Sequence, residues 1–202
     1  MAREENLERK MNVAEIKVRE DVQEKFDREF ASGKWSYLAS SAREVPRYGA
    51  VSGYVECACP EGQGILDLGC GEGVLFRYLP ERHRQGYVGV DVSDVALNKA
   101  RKENIKKLYC SPMEKFIPPR QFGVIIFNEV LFYTLVPLDV MAHYRPYLTQ
   151  DGCVILSAFR YKGNESSIWA GLDGRGWDVF DRTKITSARG GLIWDLAILR
   201  PR

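Results

Sequence analysis

Histidine is nearly absent from this chain, with only His83 and His143 among 202 residues. None of the five cysteines forms a Cys-x-x-Cys pair, so a tight transition-metal site has no clustered ligands to draw on. An odd cysteine count without paired spacing also argues against a disulfide framework. Cys57, Cys70, Cys110 and Cys153 stand in or beside apolar segments and are expected as buried free thiols, with a reactive thiol at Cys70 the minor alternative. No run of 18 apolar residues and no leader-like segment is visible, so the expected setting is cytoplasmic, without a membrane partner. Charge of one sign is lacking too: a net +2 is too balanced to point to a nucleic-acid partner. Gly-Lys-Ser/Thr is missing, which excludes a phosphate-cradling loop. No internal repeat or low-complexity stretch appears. What remains, 45% hydrophobic and 28% charged, describes one globular domain long enough for a substantial core.

The informative stretch is Gly64-Ile-Leu-Asp-Leu-Gly-Cys-Gly-Glu-Gly-Val-Leu75. Ile65 to Leu68 reads as a short buried strand, followed by glycines 69, 71 and 73 and then by apolar residues at helical spacing, Val74, Leu75, Tyr78 and Leu79. A strand turning into a helix over glycines lets a ligand lie against the backbone and aims helix N–H groups at it. Further on, Tyr87-Val-Gly-Val-Asp91 is an apolar strand ending in a carboxylate. An acid about 20 residues beyond a glycine turn is where a nucleoside ribose is held. The competing role for Asp91 is a plain helix cap before Ser93 and Asp94.

Spacing narrows the nucleoside. A dinucleotide fingerprint needs a third small residue where this chain has Val74. Asp67, two residues before the first glycine, suits a ligand with a cationic amino group better than a pyrophosphate. Leu66-Asp-Leu-Gly-Cys-Gly-Glu-Gly73 resembles the first motif of class I S-adenosylmethionine (SAM) methyltransferases. The resemblance covers roughly residues 35 to 200. It extends to Gly89-Val-Asp-Val-Ser93, to Phe122-Gly-Val-Ile-Ile-Phe-Asn-Glu-Val-Leu131 and to Leu148-Thr-Gln-Asp-Gly-Cys-Val-Ile-Leu156. Glu129-Val-Leu-Phe-Tyr133 is similar to small-molecule methyltransferases of the nodulation (NodS-like) type.

The resemblance implies an α/β Rossmann-like class I methyltransferase fold, a seven-stranded, mostly parallel sheet in the order 3-2-1-4-5-7-6 with helices on both faces. It implies SAM as cofactor and S-adenosylhomocysteine (SAH) as product. The alternation agrees: strands are expected near 64–68, 86–91, 106–109, 122–127 and 152–159, and helices near 46–58, 73–80, 93–104 and 138–148. Two late strands, near 177–186 and 192–199, flank a turn at Arg189-Gly-Gly191. The whole chain is expected to be one methyltransferase domain, with a helical extension over 1–33 and a lid segment over 34–60. In the extension, Leu7, Met11, Ala14, Val18, Val22, Phe26 and Phe30 make one apolar stripe. It packs either on its own domain or in a homodimer or partner contact, leaving monomer and homodimer open.

Ligands in such a sheet lie beyond the carboxyl ends of the strands. The expected cofactor site therefore joins Asp67, Gly69, Cys70, Gly71, Gly73, Asp91, Val92 and Asn128. Relatives place an Asp in the third motif to read adenine, whereas this chain has Tyr109-Cys-Ser-Pro-Met-Glu114, so Ser111, Glu114 or the Met113 backbone takes that role. Arg47 is suited to the methionine carboxylate or else is a solvated surface arginine, and Tyr37 and Trp35 are either pocket or core aromatics. Glu129 and Tyr133 are the candidate catalytic residues, Glu129 taking a proton, orienting an ammonium acceptor, or capping the next helix. His143 is expected to be structural. Phe159, Tyr161, Trp169, Trp177 and Phe180 offer an aromatic acceptor pocket. Asn128 stands where base- and amide-nitrogen methyltransferases begin Asn/Asp-Pro-Pro-Tyr, but this chain continues Glu-Val-Leu, which argues against those substrates. The expected function is methyl transfer from SAM to a nitrogen or oxygen of a small-molecule acceptor. A protein or RNA acceptor, or a non-catalytic SAM binder, is the alternative.

Overall fold

Short apolar runs make the inner strands, and their burial on both faces is the mark of a parallel sheet covered by helices. In the computed structural model, which describes residues 22–60, 62–160, 167–188 and 191–202, β1 (Ile65–Leu68) and β2 (Tyr87–Asp91) are buried at every position. With β3 (Leu108–Cys110), β4 (Phe122–Asn128), β5 (Leu148–Phe159), β6 (Trp177–Ser187) and β7 (Leu192–Pro201) they form one sheet in the order β3-β2-β1-β4-β5-β7-β6. Neighbouring strands from β3 through β5 run parallel. β7 runs antiparallel to both β5 and β6. The expected order is present, and β7 is the strand that reverses.

The helices are α1 (22–31), α2 (Tyr37–Ser40), α3 (Val45–Ala58), α4 (Val74–Tyr78), α5 (Glu81–Arg84), α6 (Asp94–Ala100), α7 (Pro137–Tyr144) and α8 (Ser167–Gly171). One face of the sheet packs Val51 and Val55 of α3 with Val74 and Leu75 of α4. The other packs Val140, Met141 and Tyr144 of α7 with Phe127, Ile168 and Trp177.

Several elements are shorter than the sequence pattern predicts. α6 gives way to a 3-10 turn at Arg101, and Asn104 then adopts a left-handed φ of 62° that stops the helix. α7 gives way at Arg145, still at helical dihedrals (φ −53°, ψ −43°), to a 3-10 turn that carries Pro146, and β5 begins at Leu148, earlier than expected. Cys59, Cys70 and Cys153 are buried, but Cys57 and Cys110 are exposed. Cys57 lies on the outer side of α3, and Cys110 ends the edge strand β3, so apolar neighbours in sequence do not bury either thiol.

The strand order reverses at β1, which has β2 on one side and β4 on the other. A cleft opens there beyond the strand ends. Of the N-terminal stripe, Leu7, Met11, Ala14 and Val18 lie outside the described residues, while the rest is in α1, laid across that cleft.

Candidate active site

Two backbone bonds set the turn after β1: the Gly69 and Cys70 N–H groups both donate to the Val90 carbonyl, at 2.8 and 3.0 Å. Gly69 has φ 71°, and a Cβ there would stand 2.4 Å from Val130 Cγ2. Only glycine meets both the dihedral and the close approach. Gly71, at φ 53°, donates its N–H to Asp91 Oδ2 at 2.8 Å. The glycine turn and the acid at the end of β2 are thereby one rigid unit. Gly73 is different. It caps α4 with φ 75°, and a Cβ on it would meet Ile105 Cδ1 at 2.6 Å. It is not among the residues that line the cavity, and its missing Cβ makes room for Ile105 and Ala100.

Asp91 does not cap α6. Ser93 does, its Oγ accepting from the Ala96 N–H at 3.1 Å, while Asp91 Oδ1 accepts from the Ser93 N–H at 2.9 Å. Burial pushes the Asp91 carboxyl up to about 6, against those backbone donors. Asp67 accepts a 2.6 Å hydrogen bond from Tyr87 Oη, and burial pushes its carboxyl up to about 7. Two desolvated carboxylates kept this close to neutrality favour a cationic or hydroxyl-rich partner. The Cys70 thiol is raised well above its ordinary value by burial and by these acids, so the reactive-thiol alternative is set aside.

Beyond β4 the chain turns through Glu129 at φ 61°, a left-handed conformation for a residue with a side chain. Ser157 Oγ donates to Glu129 Oε1 at 2.6 Å, and the Phe159 N–H donates to Oε2 at 3.0 Å. The carboxylate ties β4 to β5, so the helix-cap alternative is corrected. Burial raises its carboxyl, with Arg47 the largest opposing influence. Arg47 is only 1% exposed, which corrects the surface-arginine alternative. Its Nη1 donates to Asn128 Oδ1 at 2.5 Å and its Nη2 to Glu44 Oε2 at 3.0 Å, while Nε is buried with no hydrogen-bond partner among the described residues.

A cavity of about 550 Å³ takes in every cofactor-binding and catalytic candidate named from the sequence except Gly73. That is the size of a small-molecule or cofactor site. Asp67, Gly69, Gly71 and Asp91 border it on one side, and Met113 and Ser111 lie at the β3 end. The roof is α1: Val22, Phe26 and Phe30 line the cavity, with Phe26 edge-on to Tyr133 at 5.3 Å between centroids. A Cβ on Gly71 would stand 3.5 Å from Phe30 Cζ, so the bare glycine backbone faces the underside of α1.

A protein-family comparison decides what this cavity belongs to: the family described as "Methyltransferase domain" matches residues 37–187. The chain belongs to this methyltransferase family. The resemblance to class I SAM-dependent methyltransferases drawn from Leu66 to Gly73 is borne out, as is the Rossmann-like sheet. Among solved structures, the methyltransferase is similar to the N-methyltransferase NodS from Bradyrhizobium japonicum in complex with SAH, at TM-score 0.73 and 16% identity, covering 89% of this chain and 97% of that one. It is also similar to the 1,6-didemethyltoxoflavin-N1-methyltransferase of Burkholderia thailandensis with bound 1,6-didemethyltoxoflavin and SAH, at TM-score 0.70 and 16% identity, covering 89% and 87%. Among curated proteins, the tRNA U34 carboxymethyltransferase of Photobacterium profundum is 29% identical over 118 residues. The matched stretch is 54% of this methyltransferase and 36% of that relative's length.

The aromatic acceptor candidates do not converge. Phe159 lines the cavity, 5.8 Å from the Trp194 ring, but Trp177 is fully buried in the core. Trp169 borders a second, smaller cavity, and Phe180 is 59% exposed on the edge strand under Arg200. Tyr161 lies outside the described residues. The reason is topological: β6 is the far edge of the methyltransferase sheet, away from the switch point. His143 hydrogen-bonds the Phe116 carbonyl at 3.0 Å and is outside the cavity.

Sequence reasoning missed Tyr87, Glu44, Trp194 and the α1 aromatics as cavity or supporting residues. The i,i+3 spacing of Glu44 and Arg47 was a readable signal for their ion pair. Nothing in the local pattern distinguishes Phe26 or Phe30 from ordinary stripe residues.

Proposed function

We propose that this methyltransferase moves the methyl group of SAM to a nitrogen or oxygen of a small-molecule acceptor. The observation that carries the reading is the unit made by Gly71 and Asp91, where the glycine N–H is bonded to the acid at 2.8 Å on the wall of one cavity. SAM, when bound, supplies an electrophilic methyl on a sulfonium, so that transfer is an in-line displacement and positioning provides much of the rate.

The chain's own residues divide that work. Asp91 holds ribose hydroxyls with the lone pairs its two backbone donors leave available. Asp67, oriented by Tyr87, receives the ammonium. Arg47 is the partner for the aminoacyl carboxylate, because its buried, unpartnered Nε needs an acceptor. Cys70, Val92 and Asn128 shape the cofactor side, and Tyr37 covers it. Ser111 and Met113 border the cavity where adenine is read without a third-motif acid. Glu129 orients the acceptor or takes its proton, and Tyr133, under Phe26, closes the acceptor side.

The second reading, an RNA acceptor, draws on the tRNA-named relative, which this chain matches over about a third of that relative's length. The net charge of +2 gives it little electrostatic support. Incubation with methyl-labelled SAM and a fractionated cell extract separates the two: label in the small-molecule fraction supports the proposal, and label in RNA or protein overturns it. Glu129→Gln is expected to keep SAH affinity within about threefold and to lower turnover at least tenfold, a loss of roughly 1.4 kcal/mol or more in transition-state stabilisation. A variant as active as the parent sinks the role of Glu129.

A further inference from the structure

α1 is held over the cavity by polar contacts that its apolar stripe does not require. Asp27 Oδ1 accepts from Ser93 Oγ at 2.5 Å and from the Val95 N–H at 3.2 Å. Ser93 is the residue whose own N–H holds Asp91 Oδ1 at 2.9 Å and whose Oγ caps α6. One carboxylate oxygen on the roof is thus joined through one serine to the acid beside the glycine turn. A second tether stands a few residues along: Lys99 Nζ donates to the Phe30 carbonyl at 2.8 Å and to Glu72 Oε1 at 2.6 Å. Phe26, one residue before the first tether, and Phe30, whose carbonyl takes the second, line the cavity.

We propose that Asp27 is a positioning residue that latches α1 over the bound cofactor and sets how long the cofactor stays. The proposal rests on the SAM reading of the cavity. Asp27 does not itself line that cavity; it acts through Ser93 and through the placement of Phe26 and Phe30. A nucleoside lying against the Gly71 backbone packs under Phe30, so the roof is one wall of its site. Breaking the latch frees the helix without touching Asp67, Gly69 or Asp91. Asparagine keeps the latch, because the contact needs one oxygen accepting two hydrogen bonds and an amide oxygen offers the same lone pairs.

The test compares Asp27→Ala with Asp27→Asn. In the ligand-free protein, amide exchange of residues 22–31 is expected to accelerate at least tenfold in D27A and to stay near the parent in D27N. With SAH, release from D27A is expected to be about tenfold faster, the scale of losing one to two modest hydrogen bonds. The KM for SAM rises by a similar factor while kcat is kept, since the reacting groups are untouched. Unchanged exchange and unchanged release in D27A overturn the latch, as does D27N behaving like D27A. If the parent protein fails to bind SAH, the SAM reading falls, and the ligand-free exchange still decides whether Asp27 holds the roof. Should D27A also lose protection in β1 and β4, Ser93→Gly removes the hydroxyl that Asp27 accepts from while keeping a residue that tolerates the cap position, and it carries the same comparison; α1 exchange unchanged there overturns the proposal.

Discussion

The cavity has a floor and a roof built in different ways. The floor is one stretch of chain, Asp67 to Asp91, held by backbone hydrogen bonds: Val90 accepts from Gly69 and Cys70, and Asp91 accepts from Gly71 and Ser93. Its positions are dictated by left-handed glycines and by burial. The roof and acceptor side draw on α1, the turn at Tyr133, and the β5–β7 ends at Phe159 and Trp194. Side-chain packing and a few tethers hold these parts together. A backbone-bonded floor has little freedom to adjust, whereas a packed roof can be exchanged, opened or reshaped at modest cost to the fold.

The largest effect that could break this contrast is at Gly69. Gly69→Ala combines a left-handed dihedral with a Cβ 2.4 Å from Val130 and is expected to cost about 2–4 kcal/mol of stability, measured by denaturant unfolding. Gly71→Ala, whose Cβ stays 3.5 Å from Phe30, carries only the dihedral strain of about 1–2 kcal/mol. Equal losses at the two sites would mean that the Val130 wall yields.

Next comes Asp91→Ala, expected to weaken SAH binding by one to two orders of magnitude, about 1.5–3 kcal/mol, by titration calorimetry. Unchanged affinity refutes the ribose role. A pH series sharpens the same point. Asp67 and Asp91 have carboxyls raised to about 7 and about 6, so lowering the pH from 8 to 5 protonates them and SAH affinity falls. Their effect on the free protein has the opposite sign. A folded-state pKa above the unfolded value means the folded form takes up protons more readily. The contribution of these two groups to stability therefore increases as pH falls from about 7 toward 4. Asp67→Asn removes one desolvated charge and is expected to raise Tm at pH 8 by a few degrees, roughly 1 kcal/mol, with the gain vanishing near pH 5. A gain that is independent of pH counts against burial as the cause.

The smallest effect belongs to the roof. Phe26→Ala removes a half-buried ring and its edge contact with Tyr133. It is expected to change stability by about 1 kcal/mol or less and SAH affinity by only a few-fold. A loss as large as that of Asp91→Ala would show that the roof binds as strongly as the floor.

Legibility followed the same division. The glycine turn, the acid ending β2 and the strand alternation were visible because each is a local demand: a dihedral, a periodicity, a fixed distance along the chain. Gly73 looked like its two neighbours in that pattern, yet its Cβ direction points at Ile105 rather than at the cavity. Arg47 read equally as surface or site until its burial against Glu44 and Asn128 decided the matter. Glu129 was visible as a carboxylate at a strand end, but its bonds to Ser157 and Phe159 join residues about 30 positions apart.

By itself the sequence determined the sheet, the glycine turn and the family. Apolar spacing and glycine placement act over a few residues and hold in any tertiary setting. Tertiary structure alone decided that α1 turns back over its own cavity, that Arg47 is buried, and that the late aromatics disperse over β5, α8 and β6. Those outcomes depend on which distant surfaces meet, and a one-dimensional pattern carries no signal of that until packing brings them together.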